Sequence, residues 1–178
     1  MEAQNIINFW FHELRPSQWF KVNSETDEMI KNKFADVLKA ATQGELFHWR
    51  ASAFGRMAEI LVLDQFSRNI HRNQPEAFAA DDLALILAQE MVLLGLDQEI
   101  PLEMRAFVYM PYMHSESRLI HNEAVKLFSI KGLESNYQFE IEHKKIIDAF
   151  GRYPHRNSIL GRLSTYHELE FLQNHKGF

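Results

Sequence analysis

An all-α fold is predicted by three features of the sequence. Apolar residues recur at spacings of three and four along most of its 178 residues. No stretch sustains the apolar/polar alternation of a half-buried strand. No Asn-Gly or Asp-Gly pair, the strongest short hairpin signal, occurs anywhere in the chain.

The elements follow in order. Residues 3–12 carry Ile6, Ile7, Trp10 and Phe11 at helical spacing, and Pro16 ends or redirects that helix. Ser24 with Asp27 resembles a capping box in which Asp takes the Glu role. Ile30, Phe34, Val37, Leu38 and Ala41 then make one face, stopped at Gly44. Ser52 caps the next helix, whose stripe is Phe54, Met57, Ile60, Leu61 and Phe66. It carries Asp64 and Arg68 and runs out near residues 72–75. Asp81 or Asp82 caps a helix with Leu83, Ile86, Leu87 and Leu94, closed by Gly95. Pro101 sits where a first-turn proline belongs, ahead of Leu102, Ala106, Tyr109, Met110 and Met113, and Pro111 is expected to end or kink that helix. Ser115 or Ser117 opens another, with Leu119, Ala124, Leu127 and Phe128 inside and Gly132 after it. Tyr137, Ile141, Ile147 and Phe150 mark a seventh, stopped by Gly151. A loop at 152–157 precedes a short last helix, for which Thr165 and Glu168 form a capping box. About eight helices with short connections imply antiparallel neighbours.

Length and composition fit one folded domain over 1–178, with 46% hydrophobic and 24% charged residues. Fourteen Phe and three Trp supply bulky core material. A net charge of −5 and the lack of a basic stripe argue against nucleic acid and against an anionic membrane surface. Without cysteine there is no disulfide, thiolate metal site or thiol nucleophile. No window holds 18 uninterrupted apolar residues, and no basic segment leads an apolar one at the start, so a cytoplasmic protein is expected. A nucleophile elbow, a phosphate-cradling glycine loop and a dinucleotide fingerprint are all missing, and no cofactor is expected.

Three stretches carry family resemblance. They are Leu63-Asp64-Gln65-Phe66-Ser67-Arg68-Asn69-Ile70, then residues 109–117 from Tyr109 through Pro111 and His114 to Ser117, then residues 150–162 around Arg152-Tyr153-Pro154-His155-Arg156-Asn157. With Phe9-Trp10-Phe11 at the front, the chain resembles domain-of-unknown-function family 924 over nearly its whole length. The resemblance implies a tetratricopeptide-like α-α superhelix of antiparallel helix pairs and no established reaction. Two positions depart from the resemblance. Ser67 stands where proline is expected, loosening the turn there, and Lys145 stands where an acid is expected after His143.

The candidate functional residues lie in the same stretches. Asp64 and Arg68 share a helix face, as do Arg68 and Arg72. A carboxylate that orients an arginine makes an anion fork, with Asn69 beside it. His114 and Glu116 follow a proline-broken helix end and suit acid/base work, as does His155. His114, Glu116 and His121, with His143 or His155, match no metal-ligand spacing, so no metal is expected. Arg152, Arg156 and Asn157 sit on a proline-fixed loop suited to gripping a phosphate or carboxylate.

Three functions compete. The leading one is a binding module taking an acidic or C-terminal peptide, or a small anionic ligand, on a concave polar face. The second is an enzyme or sensor for a small anionic metabolite, with His114 or His155 moving a proton and Glu116 or Asp64 orienting it. In the third, Asp64, Arg68, Arg152 and Arg156 bond one another and only hold the fold. The arginine heads decide among them by facing either a cavity or each other.

Overall fold

The computed structural model describes residues 1–175 and Gly177. Among these residues every regular element is helical. Helix α1 (Ala3–Asn8) runs into a π-helical turn at Phe9–Glu13, and a single-turn helix α2 (Pro16–Trp19) follows. Next come α3 (Ser24–Thr42) and then α4 (Ala53–Leu61), which a second π turn (Val62–Phe66) joins to α5 (Ser67–Ile70). The remainder is α6 (Asp81–Leu93), α7 (Leu102–His114), α8 (Arg118–Phe128), α9 (Glu134–Phe150) and α10 (Tyr166–Asn174). The described residues thus make nine α-helical runs, counted with their π turns, besides short 3-10 turns at Phe47–Ala51, Pro75–Ala77, Leu96–Glu99 and Pro154–Arg156. The one beyond expectation is α2, which opens on Pro16 at its first turn.

Packing follows the apolar stripes. α1 lies on α4, α3 on α5, and α4 on α6, while α6, α7, α8 and α9 each pack on the next. The two π turns meet in the main core. Phe9 and Trp10 from the first surround Phe66 from the second, with Phe34 of α3 4.9 Å from Phe66. A much smaller core, Ile146, Ile147 and Tyr153 with Phe150 and Phe171, holds the end of α9 against α10.

Several caps differ from the sequence reading. Asn23, not Ser24, caps α3, because its side chain reaches both Glu25 N and Thr26 N. Asp27 is therefore left to bond elsewhere. Asp81 opens α6 without capping it. Pro111 does not end α7, which continues to His114 with Pro111 buried inside it. The lost backbone bond is tolerated because residues 106–113 are all buried and packed. Ser67 does not loosen its turn either. It keeps helical dihedrals and returns its hydroxyl to Leu63 O. Ser52 and the Thr165–Glu168 box cap as expected.

Gly55 has a packing reason to be glycine. A Cβ there would lie 1.9 Å from Trp49 O, a backbone atom that cannot swing aside. Gly55→Ala is expected to lower stability by roughly 1–3 kcal/mol or more, although alanine is the better helix former. Urea unfolding of the variant measures this, and an unchanged midpoint would refute the close approach.

Candidate functional site

The π turn Val62–Phe66 presents Asp64 inward, where its side chain is fully buried. Such turns often mark functional positions in helices. Asp64 Oδ1 lies 2.7 Å from His114 Nδ1 and 3.3 Å from the Arg68 guanidinium, and Oδ2 accepts from Gln65 at 2.6 Å. Arg68 also donates to Asp64 O and forks onto Asp81 at 2.8 and 2.9 Å. Arg156 donates to the same Asp81 at 3.2 Å and to His114 O at 3.0 Å. Its guanidinium is sandwiched between the rings of Phe78 and Tyr153, 4.6 Å from each centroid.

Protonation follows from these neighbours. Burial alone would raise the Asp64 pKa. The His114 ring and then Arg68, through their electrostatic effect, with the bonds from His114 and Gln65, outweigh it and hold the carboxyl well below its ordinary range. For His114, burial and then Arg68 disfavour the cation, and the Asp64 carboxylate only partly compensates, so its pKa is lowered. His114 is thus neutral near pH 7 with Nδ1–H donated to Asp64 and Nε2 left as an acceptor. Nε2 has no bond among the described residues and is not among the buried atoms lacking one. The side chain is 17% exposed, so Nε2 reaches solvent.

The other candidates fall into separate groups. Asn69 and Arg72 both bond Asp27 of α3. Arg152 is split from Arg156, because it forks onto Glu168 instead. That fork holds the Glu168 carboxyl down at about 2. Asn157 donates to Ser164 and Glu168 and accepts from Arg162. Glu116 does not approach His114 through a hydrogen bond. It takes a fork from Arg162 at 2.6 and 2.9 Å and the Tyr153 backbone N–H at 2.7 Å. His155 packs against the Tyr153 ring. The expected joint grip of Arg152, Arg156 and Asn157 on one anion is therefore not formed. Lys145 pairs with Glu142 and is largely exposed.

Asp81, Asp27, Gln65, Arg162 and Tyr153 also belong to these groups, although the sequence marks none of them as a site residue. Asp81 and Asp27 gave only helix-cap signals, and their arginine partners lie 13 and 45 residues away. Two surface hollows, one along α10 and one beside α1, include none of the candidate residues. Among the described residues no group of three or more acidic or His side chains is placed to hold a metal.

A family model described as a bacterial protein of unknown function, DUF924, matches residues 6–176. The chain belongs to the DUF924 family. A solved structure of a protein of unknown function from Agrobacterium tumefaciens shares its fold, with a TM-score of 0.90 and 35% identity over 96% of each chain. No curated protein matches the chain significantly. The DUF924 match takes in all three stretches that build the Asp64–His114 group and its surroundings. No helix among the described residues is long and apolar enough to cross a membrane.

Proposed function

We propose that this DUF924 protein binds a small anionic ligand over the Asp64–His114 pair and exchanges a proton with it through His114 Nε2. The observation that carries this reading is the 2.7 Å Asp64–His114 contact together with an Nε2 that bonds none of the described residues and reaches solvent. A carboxylate on Nδ1 fixes the tautomer and raises the basicity of the opposite nitrogen. The charges in the cluster favour proton-linked binding. Arg68 and Arg156 offset Asp64 and Asp81, so the resting cluster is neutral. An anion that arrives with its own proton, as a weak acid, leaves the balance unchanged once His114 takes that proton. The edge of Arg68, 19% exposed, supplies positive charge beside the ring.

Peptide binding has less support, because Arg152 and Arg72 are already forked onto carboxylates. The third reading, a purely structural cluster, explains those two pairs and the pairing of Arg68 and Arg156 with Asp64 and Asp81, but gives no role to an outward Nε2.

The test is calorimetric titration with inorganic phosphate and a panel of mono- and dicarboxylic acids, in buffers of different ionisation enthalpy. Binding with uptake of about one proton is expected in the wild type. His114→Gln is expected to abolish the linkage. If no acid binds, or if His114→Gln keeps both affinity and proton uptake, the reading fails.

A further inference from the structure

The C-terminal end of α7 is completed by side chains from elsewhere in the chain. The last carbonyls of a helix have no partner within it. Tyr112 O is taken by Ser115 N in a final tight turn. The next three are each met by a different side chain. Tyr153 donates its hydroxyl to Met113 O at 2.5 Å. Arg156 donates to His114 O at 3.0 Å. His121 Nε2 lies 2.8 Å from Ser115 O. His114 sits at the centre of this clamp, on the side facing Asp64.

The donors are themselves held. Burial pushes the Tyr153 phenol pKa up, so the hydroxyl keeps its proton. His121 is fully buried, and a carbonyl only accepts, so its Nε2 carries hydrogen. Its Nδ1 is 2.7 Å from Glu140, also fully buried. One proton must therefore lie between Nδ1 and the carboxyl, because two lone pairs would repel at that distance. With that proton in place, the His121–Glu140 pair carries no net charge. Arg156 is fixed by its two aromatic neighbours and Asp81.

We infer that Tyr153, Arg156 and His121 are positioning residues that clamp the three carbonyls at the end of α7 and so hold the His114 ring on Asp64 with Nε2 turned outward. This rests on the reading of His114 as the ligand-facing group. It adds that the loop after α9, together with α8, sets the geometry of that group. A clamp on the backbone fixes a side chain's origin at little rotamer cost, as a preorganised binding group requires.

Imidazole nitrogen spectra of the full-length protein test it, since nitrogen shifts report the His114 tautomer and its titration directly. The wild type is expected to show the Nδ1–H form alone. Tyr153→Phe keeps the ring against Arg156 and removes the bond to Met113 O together with the 3.3 Å contact to His121 Nε2. It is expected to admit the second tautomer and move the His114 midpoint upward, toward the ordinary histidine range, as solvent gains access. Ile146→Ala, which weakens the same small core without touching a carbonyl, is expected to leave both unchanged. The inference is overturned if Tyr153→Phe leaves the His114 spectrum as in the wild type, or if Ile146→Ala alters it equally. A wild-type spectrum with the Nε2–H form would instead defeat the functional reading itself, so the two failures are distinguishable.

Discussion

Asp64→Leu is expected to cost roughly 3–5 kcal/mol of folding stability, the range seen when one partner of a buried ionic group is removed. Asp64 is fully buried, and its loss would leave Arg68 and Arg156 sharing the single carboxylate of Asp81. One positive charge would then sit uncompensated among Phe78, Tyr153 and the end of α7. Leucine keeps the branched skeleton of aspartate but is bulkier, so no cavity is left and some overpacking adds to the loss. Removing a cation with the anion should restore balance, so Asp64→Leu combined with Arg68→Met is expected to be more stable than Asp64→Leu alone. Urea unfolding of the three proteins measures both effects. A loss below about 1 kcal/mol for Asp64→Leu would mean that solvent screens the cluster, as at an exposed pair.

Mild acid is expected to have the next largest effect, through two histidines of the small C-terminal core. Burial lowers the His143 pKa to about 3, and burial, followed by Arg156, lowers that of His155 to about 4. In the unfolded chain both return to about 6.5. The unfolded state therefore binds protons first as pH falls. The stability these neutral rings contribute is fully present above about pH 6.5 and is lost progressively below it. Each group contributes a loss of about 1.4 kcal/mol per pH unit in this range, or roughly 2 kcal/mol each at pH 5. His114, also lowered, acts in the same direction. Glu140, raised by burial, acts in the opposite direction and offsets part of the loss. The depressed carboxyls of Asp27, Asp64, Glu116 and Glu168 contribute only below about pH 4.5, as they protonate. Urea midpoints should hold from pH 7.5 to about 6.5 and fall from there to pH 5, more gently in a His143→Gln, His155→Gln double variant. A flat profile in the wild type would show that these rings are hydrated.

The helices were legible in the sequence because their signals are local. Apolar stripes, Ser52, the Thr165–Glu168 box and glycine stops all act within a few residues of the element they shape. The reading failed where a distant partner competes for a local signal. Asp27 looks like a capping residue, yet Arg72 and Asn69 from α5 and the turn after it claim its carboxylate. Asp81 looks the same and is claimed by two arginines, one of them 75 residues away. Pro111 would break an isolated helix, and burial on every side carries α7 past it. Within the site, the Asp64–Arg68 pairing was visible as an i,i+4 spacing. The 50-residue reach from Asp64 to His114 was not, because no periodicity encodes it.

The π turn at Val62–Phe66 makes helix phase itself a determinant of the charge cluster. A π turn is an α-helix that has absorbed one additional residue, so everything beyond it is rotated by about 100° relative to an uninterrupted helix. Arg68, Asn69 and Arg72 all lie beyond Phe66, whereas the stripe of α4 lies before it. Closing this stretch into regular α-helix at unchanged length would turn the arginines away from Asp81 and Asp27, whereas losing one residue other than Asp64 would remove the bulge and keep them in phase. The helix phase set by five residues thus governs which side chains meet across α3, α5 and α6, independently of whether each is individually well chosen.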